Sequence, residues 1–408
     1  MSAGREIVIL GGARTPMTEW NGGKRGDGKA GGALASVSAI DLGAIAAKAA
    51  LSRSGVPADA VDHVVMGNAM QTSGDALYGA RHVGLKAGVP KHVPALTVNR
   101  LCGSGIQSII SGAQMLALGE AKIIVAGGME NMSQAPHVLR GLRTGLRLGV
   151  QPPLEDALSV ALLDSNCKLL MAQTSDNLAK KYGLTREAQD DYAFRSHTAG
   201  TAATQSGRFA EEIEPVALPQ RKGDPIVVSA DDHFVPDPSR EALGRLPAHF
   251  GPESTVTAGN ASGIVDGAAM LLLSTAERAA ELGQKPLGRL VSWAVVGVEP
   301  SRMGIGPVPA IRAALGRAGL QLSDLDLIEI NEAFAGQILA CIKELALDQE
   351  KLNVNGGAIA LGHPLGATGA RITLTLLKEL QRRGGGRGVA SACIGGGQGI
   401  ALIVESVS

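Results

Sequence analysis

The sequence predicts an α/β protein made of two similar halves, with a loop-rich segment inserted between them. Three observations lead to this fold class. A shift of 264 positions, from residue 47 to residue 311, superposes two segments. Each half repeats one order of strands and helices. Apolar residues make up 45% of the 408 residues but aromatic residues only 2%, so the core is built from Ala, Val, Ile and Leu.

The repeat covers residues 47–70 and 311–334, which align without a gap and share seven identical positions of 24. Both segments are typical of a helix that ends at a glycine, Gly55 or Gly319, followed by a turn and an apolar strand. We interpret the repeat as an internal duplication of one α/β unit.

Each half then continues in the same order. In the first half we predict a strand over 95–99, a helix over 106–117 and a strand over 122–126 that ends at two glycines. In the second half we predict a helix over 370–382 and a strand over 388–392. Strands and helices that alternate in this way predict mixed sheets with helices on their faces.

A change in composition marks the predicted domain boundaries. The N-terminal half spans 1–133 and is completed by 260–284, and the C-terminal half spans 285–408. Between them, 134–259 is loop-rich and prolines are frequent in it. This insert also holds one or two polar amphipathic helices within 174–204.

Charge and cysteine content exclude several classes of protein. Lys+Arg and Asp+Glu both number 38, which argues against a protein that chiefly binds nucleic acid or an anionic membrane. Four cysteines form neither a disulfide scaffold nor a zinc motif, and they indicate a reducing compartment. We recognise no leader, no peroxisomal address and no uninterrupted apolar run of spanning length. The expectation is a cytoplasmic protein without a metal site.

Cys102 is the first candidate for chemistry, because it lies at a strand-to-helix turn followed by Gly-Ser-Gly. Free N–H groups and the positive end of a helix dipole favour a thiolate at such a turn. A buried structural cysteine is equally compatible with this position.

Three further residues occupy comparable turns. His363, in Gly-His-Pro-Leu-Gly, is placed to accept a proton from a nearby thiol, although a capping histidine explains it as well. Cys393 precedes Ile-Gly-Gly-Gly, whose bare N–H groups suit an oxyanion. Asn331 begins Asn-Glu-Ala-Phe after a strand, where a helix cap is the simpler interpretation. Their combination at strand ends of a duplicated unit is the stronger signal.

These motifs resemble the thiolase family over nearly the whole chain. The matching segments include Asn99-Arg-Leu-Cys-Gly-Ser-Gly, Gly127-Gly-Met-Glu-Asn-Met-Ser, Gly259-Asn-Ala-Ser-Gly, Asn331-Glu-Ala-Phe and Cys393-Ile-Gly-Gly-Gly-Gln-Gly. Within the family, the motifs are most similar to mitochondrial-type 3-ketoacyl-CoA thiolases, with acetyl-CoA acetyltransferases as close relatives. The resemblance implies an acyltransferase with two αβαβα-type halves, a loop domain that covers coenzyme A, and a homodimer or a tetramer of dimers.

The resemblance also implies a role for each matched residue. Cys102 becomes the acyl-carrying nucleophile and His363 its base, while Cys393 is the second acid/base. Asn331, through a water, and His363 stabilise the thioester enolate. The N–H groups of Cys102 and Gly395 form the other oxyanion hole. Coenzyme A and acetyl-CoA are then substrates, and no cofactor is permanently bound.

Seven further residues match positions that contact substrate in the family. They are Ala258, Gly259 and Ser262 along the pantetheine arm, and Met171, Phe250, Met303 and Phe334 on the pocket wall. Two positions depart from the pattern. Leu170 replaces a histidine of acetoacetyl-specific relatives, which leaves chain length open, and Val235 replaces a basic residue that some relatives direct at the nucleotide. Arg140, Arg143 or Lys222 could supply that charge, or could lie on a solvated surface.

Two alternatives stay open. A decarboxylating or hydroxymethylglutaryl-type condensing enzyme would share the fold but lack the second cysteine, Cys393. A non-catalytic acyl-CoA or lipid-binding relative would be expected to lose Cys102, His363 or Cys393, and this chain keeps all three.

Overall fold

The computed structural model describes residues 5–20, 22 and 32–406, so the outer ends of both predicted halves lie outside it. The strands are β1 (Ile7–Arg14), β2 (Thr18–Glu19), β3 (His63–Gly67), β4 (Ala95–Val98), β5 (Ile123–Glu130), β6 (His137–Leu139), β7 (Leu154–Asp156), β8 (Leu163–Asp164), β9 (Leu169–Leu170), β10 (Val216–Leu218), β11 (Ile226–Val228), β12 (Val265–Thr275), β13 (Gly288–Gly297), β14 (Leu327–Ile330), β15 (Gly386–Ile394) and β16 (Gln398–Ser406). The α-helices are α1 (Ala39–Ser54), α2 (Gly79–Lys86), α3 (Ser104–Leu118), α4 (Ala157–Ala161), α5 (Met171–Tyr182), α6 (Arg186–Gln205), α7 (Arg240–Gly244), α8 (Ala276–Glu281), α9 (Pro307–Ala318), α10 (Ala335–Leu345), α11 (Ala358–Leu361) and α12 (Leu365–Arg382).

One mixed sheet carries both halves, in the strand order β14-β15-β16-β13-β1-β12-β5-β3-β4, with β2 paired to β12. From the central pair β13–β1 outward, the strands of one half correspond in order to those of the other. In the first half β3 lies parallel to β5, and in the second β14 lies parallel to β15. Only Val8 and Ile9 of β1 pair with β13 across the junction. The duplication therefore appears directly in the strand order.

Helices α3 and α12 pack against each other between the two halves of the sheet. Helix α1 covers the outer face of the first half, and α9 covers the outer face of the second. The resulting order is helix, sheet, helix, sheet, helix, which confirms the predicted α/β fold class with two similar halves. The five layers are formed by the two halves together, not by each half as expected. At the helix crossing, a Cβ atom on Gly105 would lie 2.6 Å from the backbone nitrogen of Ala370, so only glycine permits this close approach.

The helix–glycine–strand repeat is present in both halves. Helix α1 ends at Gly55 with φ 63°, and α9 ends at Gly319 with φ 67°. This left-handed conformation favours glycine, and the N–H of each glycine caps carbonyls of the last helical turn. Strands β3 and β14 follow, as predicted.

Two predicted boundaries are wrong by several residues. Strand β5 continues through Gly127 and Gly128 to Glu130, because these glycines lie inside the strand where other backbone segments approach closely. Helix α12 begins at Leu365 rather than residue 370, since the small residues 366–369, Gly-Ala-Thr-Gly, let this turn pack closely against the first half.

The inserted segment consists of helices α4 to α7 and the two-stranded ribbons β6–β7, β8–β9 and β10–β11. A buried ion pair fastens it to β1: the Arg14 guanidinium donates to both carboxylate oxygens of Asp231, at 2.7 and 2.8 Å, and to Glu212 at 3.1 Å. Such a buried charge is tolerated only with full pairing. The anchor thus fixes the insert against the catalytic halves.

By length and composition alone, the helical run Leu101–Leu118 could cross a membrane. More than half of it is buried between the two halves of the sheet, and core helices pass the same test. The run contains Ser, Gly and Gln, so it is not an uninterrupted apolar stretch.

Candidate active site

Residues 99–103, which join β4 to α3, carry the predicted nucleophile Cys102 and are called the nucleophile loop below. Leu101 has φ 47°, a left-handed conformation that is strained for a leucine, and Cys102 follows it in a single 3₁₀ turn. The side chain of Asn99 holds the loop: its Oδ1 accepts from the Leu101 N–H at 2.9 Å, and its Nδ2 donates to the Ala69 carbonyl at 2.9 Å. The backbone therefore turns sharply at the position that presents the Cys102 thiol.

Burial raises the pKa of the Cys102 thiol to about 11, and the negative charge of Glu130 adds to this effect. Hydrogen bonds from the N–H groups of Gly395 and Cys102 itself oppose the shift. The expectation that the helix start lowers this pKa is wrong for the free protein, because desolvation outweighs the backbone donors. The two donors nevertheless converge on the sulfur atom.

His363 lies in the base loop, residues 363–366, which leads into α12. Its Nδ1 lies 2.6 Å from the Thr368 hydroxyl, which in turn donates to the Pro364 carbonyl at 3.1 Å. Because Nε2 faces the amide nitrogen of Asn331, which is a donor, we assign the hydrogen to Nδ1, which donates it to the Thr368 hydroxyl. Nε2 is left with its lone pair. Burial and the nearby Arg371 cation lower the pKa of His363 to about 3.

Asn331 follows β14, and its amide nitrogen lies 3.3 Å from Nε2 of His363. The Asn331 Oδ1 atom is buried and has no hydrogen-bond partner among the residues that the structure describes. A buried polar atom without a partner costs free energy unless water or a ligand satisfies it. The Asn331–His363 pair therefore offers polar groups to a bound molecule.

Cys393 lies near the end of β15 and is fully buried beside Met303 and Ala333. Burial raises its pKa well above the ordinary value of 9.0, and the neighbouring Cys102 contributes. The strand then turns at Gly395, whose Cβ position would lie 3.2 Å from the Met171 sulfur. Both cysteines and the glycine turn thus meet at one point between the halves.

A cavity of about 620 Å³ opens beside this cluster, and His363 lines it. Five of the seven expected substrate-contacting residues also line it: Met171, Phe250, Ala258, Ser262 and Phe334. The other two do not. Gly259 lies behind the wall against Leu243 and Leu246, and Met303 packs on Cys393 instead.

The wall contains residues that sequence reasoning missed, among them Trp20, His233 and His249. Trp20 is one of only two tryptophans, which could have been a signal, but nothing in the sequence connects it with the distant motifs. Neither Lys nor Arg lines the cavity within the described part of the chain. Arg140, considered above for phosphate binding, instead donates to Glu155 at 2.6 Å.

Comparison with known proteins agrees with this architecture. The family models "Thiolase, N-terminal domain" and "Thiolase, C-terminal domain" match residues 7–277 and 284–406. The human mitochondrial 3-ketoacyl-CoA thiolase is 49% identical over 99% of both chains, and an acetyl-CoA acetyltransferase of Cupriavidus necator is 47% identical over 98% of this chain and 99% of its own. The crystal structure of the human mitochondrial enzyme in complex with CoA superposes with a TM-score of 0.93, at 48% identity, over 99% of this chain and 98% of that chain.

One expectation from the sequence is wrong. We expected a cytoplasmic protein, but the human, mouse and rat relatives at 48–49% identity are mitochondrial enzymes. Few cysteines indicate a reducing compartment, and that property alone does not single out the cytoplasm.

The relatives are acyltransferases, which confirms the expected enzyme class and gives no support to the non-catalytic alternative. Both family models together span nearly all described residues, and the fold and motif order agree with them. The chain is therefore a member of the thiolase family.

Proposed function

We propose that this thiolase catalyses the reversible, coenzyme A-dependent cleavage of 3-ketoacyl-CoA to acetyl-CoA and a shortened acyl-CoA, or the reverse Claisen condensation. The observation that supports it best is the convergence of Cys102, Cys393 and the Asn331–His363 pair beside one apolar cavity. Thiolysis needs a nucleophile that holds an acyl group and a second acid/base for a carbanion. These residues supply both.

The first half-reaction begins with a neutral thiol and a neutral imidazole. As the Cys102 sulfur attacks the 3-keto carbon, Nε2 of His363 takes the thiol proton. The bond between C2 and C3 breaks, its electron pair forms the acetyl-CoA enolate, and the Cys393 thiol protonates the α-carbon. Acetyl-CoA leaves, and the shortened acyl group remains on Cys102.

The second half-reaction restores the enzyme. The thiol of coenzyme A gives its proton to the Cys393 thiolate and attacks the acyl group. Cys102 departs as a thiolate and recovers its proton from His363. Because the thiols of Cys102 and Cys393 and the imidazole of His363 are neutral at rest, charge develops only when substrate has displaced water from the cavity.

Two oxyanion sites complete the proposal. The N–H groups of Cys102 and Gly395, which already converge on the sulfur, bind the oxygen of the tetrahedral acyl intermediate. Asn331 and His363 bind the enolate oxygen, and Asn331 acts through a water. The partnerless Oδ1 of Asn331 supports this role, since it can accept a hydrogen from that water.

We further infer that residues 1–133 with 260–284 and residues 285–408 are the two catalytic halves, and that the insert 134–259 covers coenzyme A. The support is that Met171, Phe250 and Ala258 of the insert form one side of the cavity. Coenzyme A is then a substrate rather than a resident cofactor, as expected for an enzyme of fatty acid β-oxidation. Its pantetheine arm is expected to pass Ala258 and Ser262, which line the cavity, and not Gly259, which lies behind the wall.

A homodimer, or a tetramer of dimers, fits the exposed edge of the sheet. Strand β4 is the last strand in the sheet order, and Leu77, Tyr78 and Leu96 beside it are exposed, Leu77 to 85%. An apolar sheet edge of this kind is normally covered. Leu101, next to the nucleophile, is exposed in the same region, so assembly would also shield Cys102. A monomer in sedimentation velocity would contradict this inference.

A thiolysis assay across chain lengths tests the proposed function. Leu170 lines the cavity, so its wall is apolar where acetoacetyl-specific relatives carry histidine, and each buried methylene contributes about 0.8 kcal/mol to binding. With coenzyme A, the protein should remove the enolate absorbance of acetoacetyl-CoA and cleave 3-ketohexanoyl-CoA at least as efficiently. Leu170→His should selectively slow the longer substrate.

If the enolate absorbance does not fall with any of these substrates, the proposed activity is wrong. Cleavage of acetoacetyl-CoA with a thousandfold lower efficiency on 3-ketohexanoyl-CoA would contradict only the wider pocket.

A further inference from the structure

Glu130 is a buried carboxylate outside the catalytic set, at the end of β5. We propose that Glu130 is a positioning residue that clamps the base loop onto the nucleophile loop, and so sets the distance between His363 and Cys102. The proposal rests on the proposed function, because it assigns Glu130 to the geometry of that nucleophile and that base.

Four N–H donors surround the Glu130 carboxylate. Its Oε1 atom accepts from the Asn68 side chain at 2.9 Å and from the Met70 N–H at 3.1 Å. Its Oε2 atom accepts from the Ala69 N–H at 3.0 Å and from the Gly366 N–H at 2.9 Å. Every donor except Gly366 belongs to the first half of the molecule, so this one side chain connects the two halves.

On the nucleophile side the connection continues through two hydrogen bonds. Ala69, whose N–H binds Glu130, accepts through its carbonyl from Asn99, and Asn99 accepts from the Leu101 N–H. Leu101 is the strained residue that turns the chain into Cys102. Displacement of Glu130 would therefore release the hydrogen bonds that hold the nucleophile loop.

On the base side, Glu130 binds the first turn of α12. The Gly366 N–H is one of the helix donors that lack an intrahelical acceptor, and a carboxylate is electrostatically favoured at a helix start. The backbone there is pressed against β5: a Cβ atom on Gly128 would lie 1.8 Å from the Gly366 carbonyl oxygen. The hydrogen bond to Glu130 and the close contact between Gly128 and Gly366 together fix the position of the base loop and hence of His363.

The chemistry of the clamp explains why a carboxylate occupies the position. Within the described part of the chain, four N–H donors surround the side chain, which suits a group that can only accept. The amide of glutamine would direct its NH₂ at two of these N–H groups. Burial raises the pKa of Glu130 to about 7 although three backbone N–H groups lower it, so the buried charge is costly. The negative charge of Glu130 also raises the pKa of the Cys102 thiol and so disfavours the thiolate. Glu130 therefore does not activate the thiol.

The test compares Glu130→Gln with Glu379→Gln in the full-length protein. Glu379 is also buried and on α12, but it pairs with Asn355 and Arg383 at the far end of that helix. Active sites are first counted by the stoichiometry of acetylation with acetyl-CoA, so that unfolded protein does not contribute. For Glu130→Gln we expect kcat per active site in acetoacetyl-CoA thiolysis to fall 10- to 100-fold with KM changed less than threefold. Glu379→Gln should keep kcat within twofold even if its Tm falls.

Asn99→Ala is the second variant, because Asn99 is exposed and its replacement leaves the buried charge in place. It should lower kcat per active site at least fivefold, also with little change in KM, even if Glu130→Gln does not fold. A kcat within twofold of wild type in either folded variant would overturn the proposal, as would an equal fall in Glu379→Gln. A wild-type protein that is not acetylated on Cys102 would instead contradict the proposed function.

Discussion

Thr368→Val removes the hydrogen-bond acceptor of His363, the proposed catalytic base, with little change in shape. The Thr368 hydroxyl lies 2.6 Å from Nδ1 of His363 and fixes both the ring orientation and the tautomer. The substitution creates no second defect, because the Pro364 carbonyl still accepts from the backbone N–H groups of Ala367 at 2.8 Å and Thr368 at 2.9 Å. Only the Nδ1–H group of His363 loses its partner.

The expected fall in kcat depends on how strong the hydrogen bond between His363 and Thr368 is in the transition state. In the proposed mechanism His363 becomes an imidazolium as it takes the Cys102 proton, so the bond strengthens in the transition state. Hydrogen bonds to charged groups contribute about 1.5–3 kcal/mol, and about 1.4 kcal/mol corresponds to a factor of ten in rate. We therefore expect kcat to fall about 10- to 100-fold. KM should change little, because Thr368 is fully buried and does not line the cavity.

Steady-state thiolysis of acetoacetyl-CoA at saturating coenzyme A measures the effect. Thr368→Ser is the matched control: it keeps the hydroxyl and removes only a methyl group, so its kcat should remain within threefold of wild type. Circular dichroism and Tm verify that both variants are folded. A Thr368→Val enzyme with at least half the wild-type kcat would refute the assigned tautomer and the role of this hydrogen bond.

Three further outcomes follow from the same geometry. Cys393→Ala should still be acetylated by acetyl-CoA yet condense about 10²–10⁴-fold more slowly, and condensation within threefold of wild type would exclude it as the second acid/base. Gly128→Ala should lower stability by about 2 kcal/mol or more in urea, because its methyl group would collide with Gly366; an unchanged midpoint would contradict that contact. The pKa of His363 is about 3 in the folded protein and 6.5 ordinarily. As the pH drops below 6.5, the unfolded chain therefore takes up a proton that the folded protein does not, and the free energy of unfolding falls. Tm should thus fall less between pH 7 and pH 5 in His363→Asn than in wild type; an equal or larger fall would contradict this assignment.

Much of the fold could be predicted because local signals and packing agree. The glycines that end the repeated helices, Gly55 and Gly319, need a left-handed conformation that few other residues adopt, so their positions mark helix ends reliably. The glycines of β5 misled the same reasoning. Gly128 serves a contact with a segment more than two hundred residues away, and nothing in the local sequence distinguishes such a glycine from a strand terminator.

In the candidate site, too, some residues could be recognised from the local sequence and others only from the fold. Cys102, His363 and Cys393 could be singled out because each lies at or just before a glycine-rich turn. Thr368 and Glu130 could not, since their importance comes from hydrogen bonds with loops that only the fold brings together. The thiol pKa was misjudged for a related reason: the helix start is visible in the sequence, whereas the depth of burial is not.

The most direct test of the central claim is the site of acetylation. The protein is mixed with acetyl-CoA alone, quenched in acid, digested and mapped by mass spectrometry. We expect one acetyl group, carried as a thioester on Cys102, and none on Cys393 or Cys341. Cys102→Ser should carry almost none and lose nearly all turnover, because a hydroxyl is a far weaker nucleophile at neutral pH. An acetyl group on Cys393, or a Cys102→Ser enzyme with most of its activity, would contradict the account.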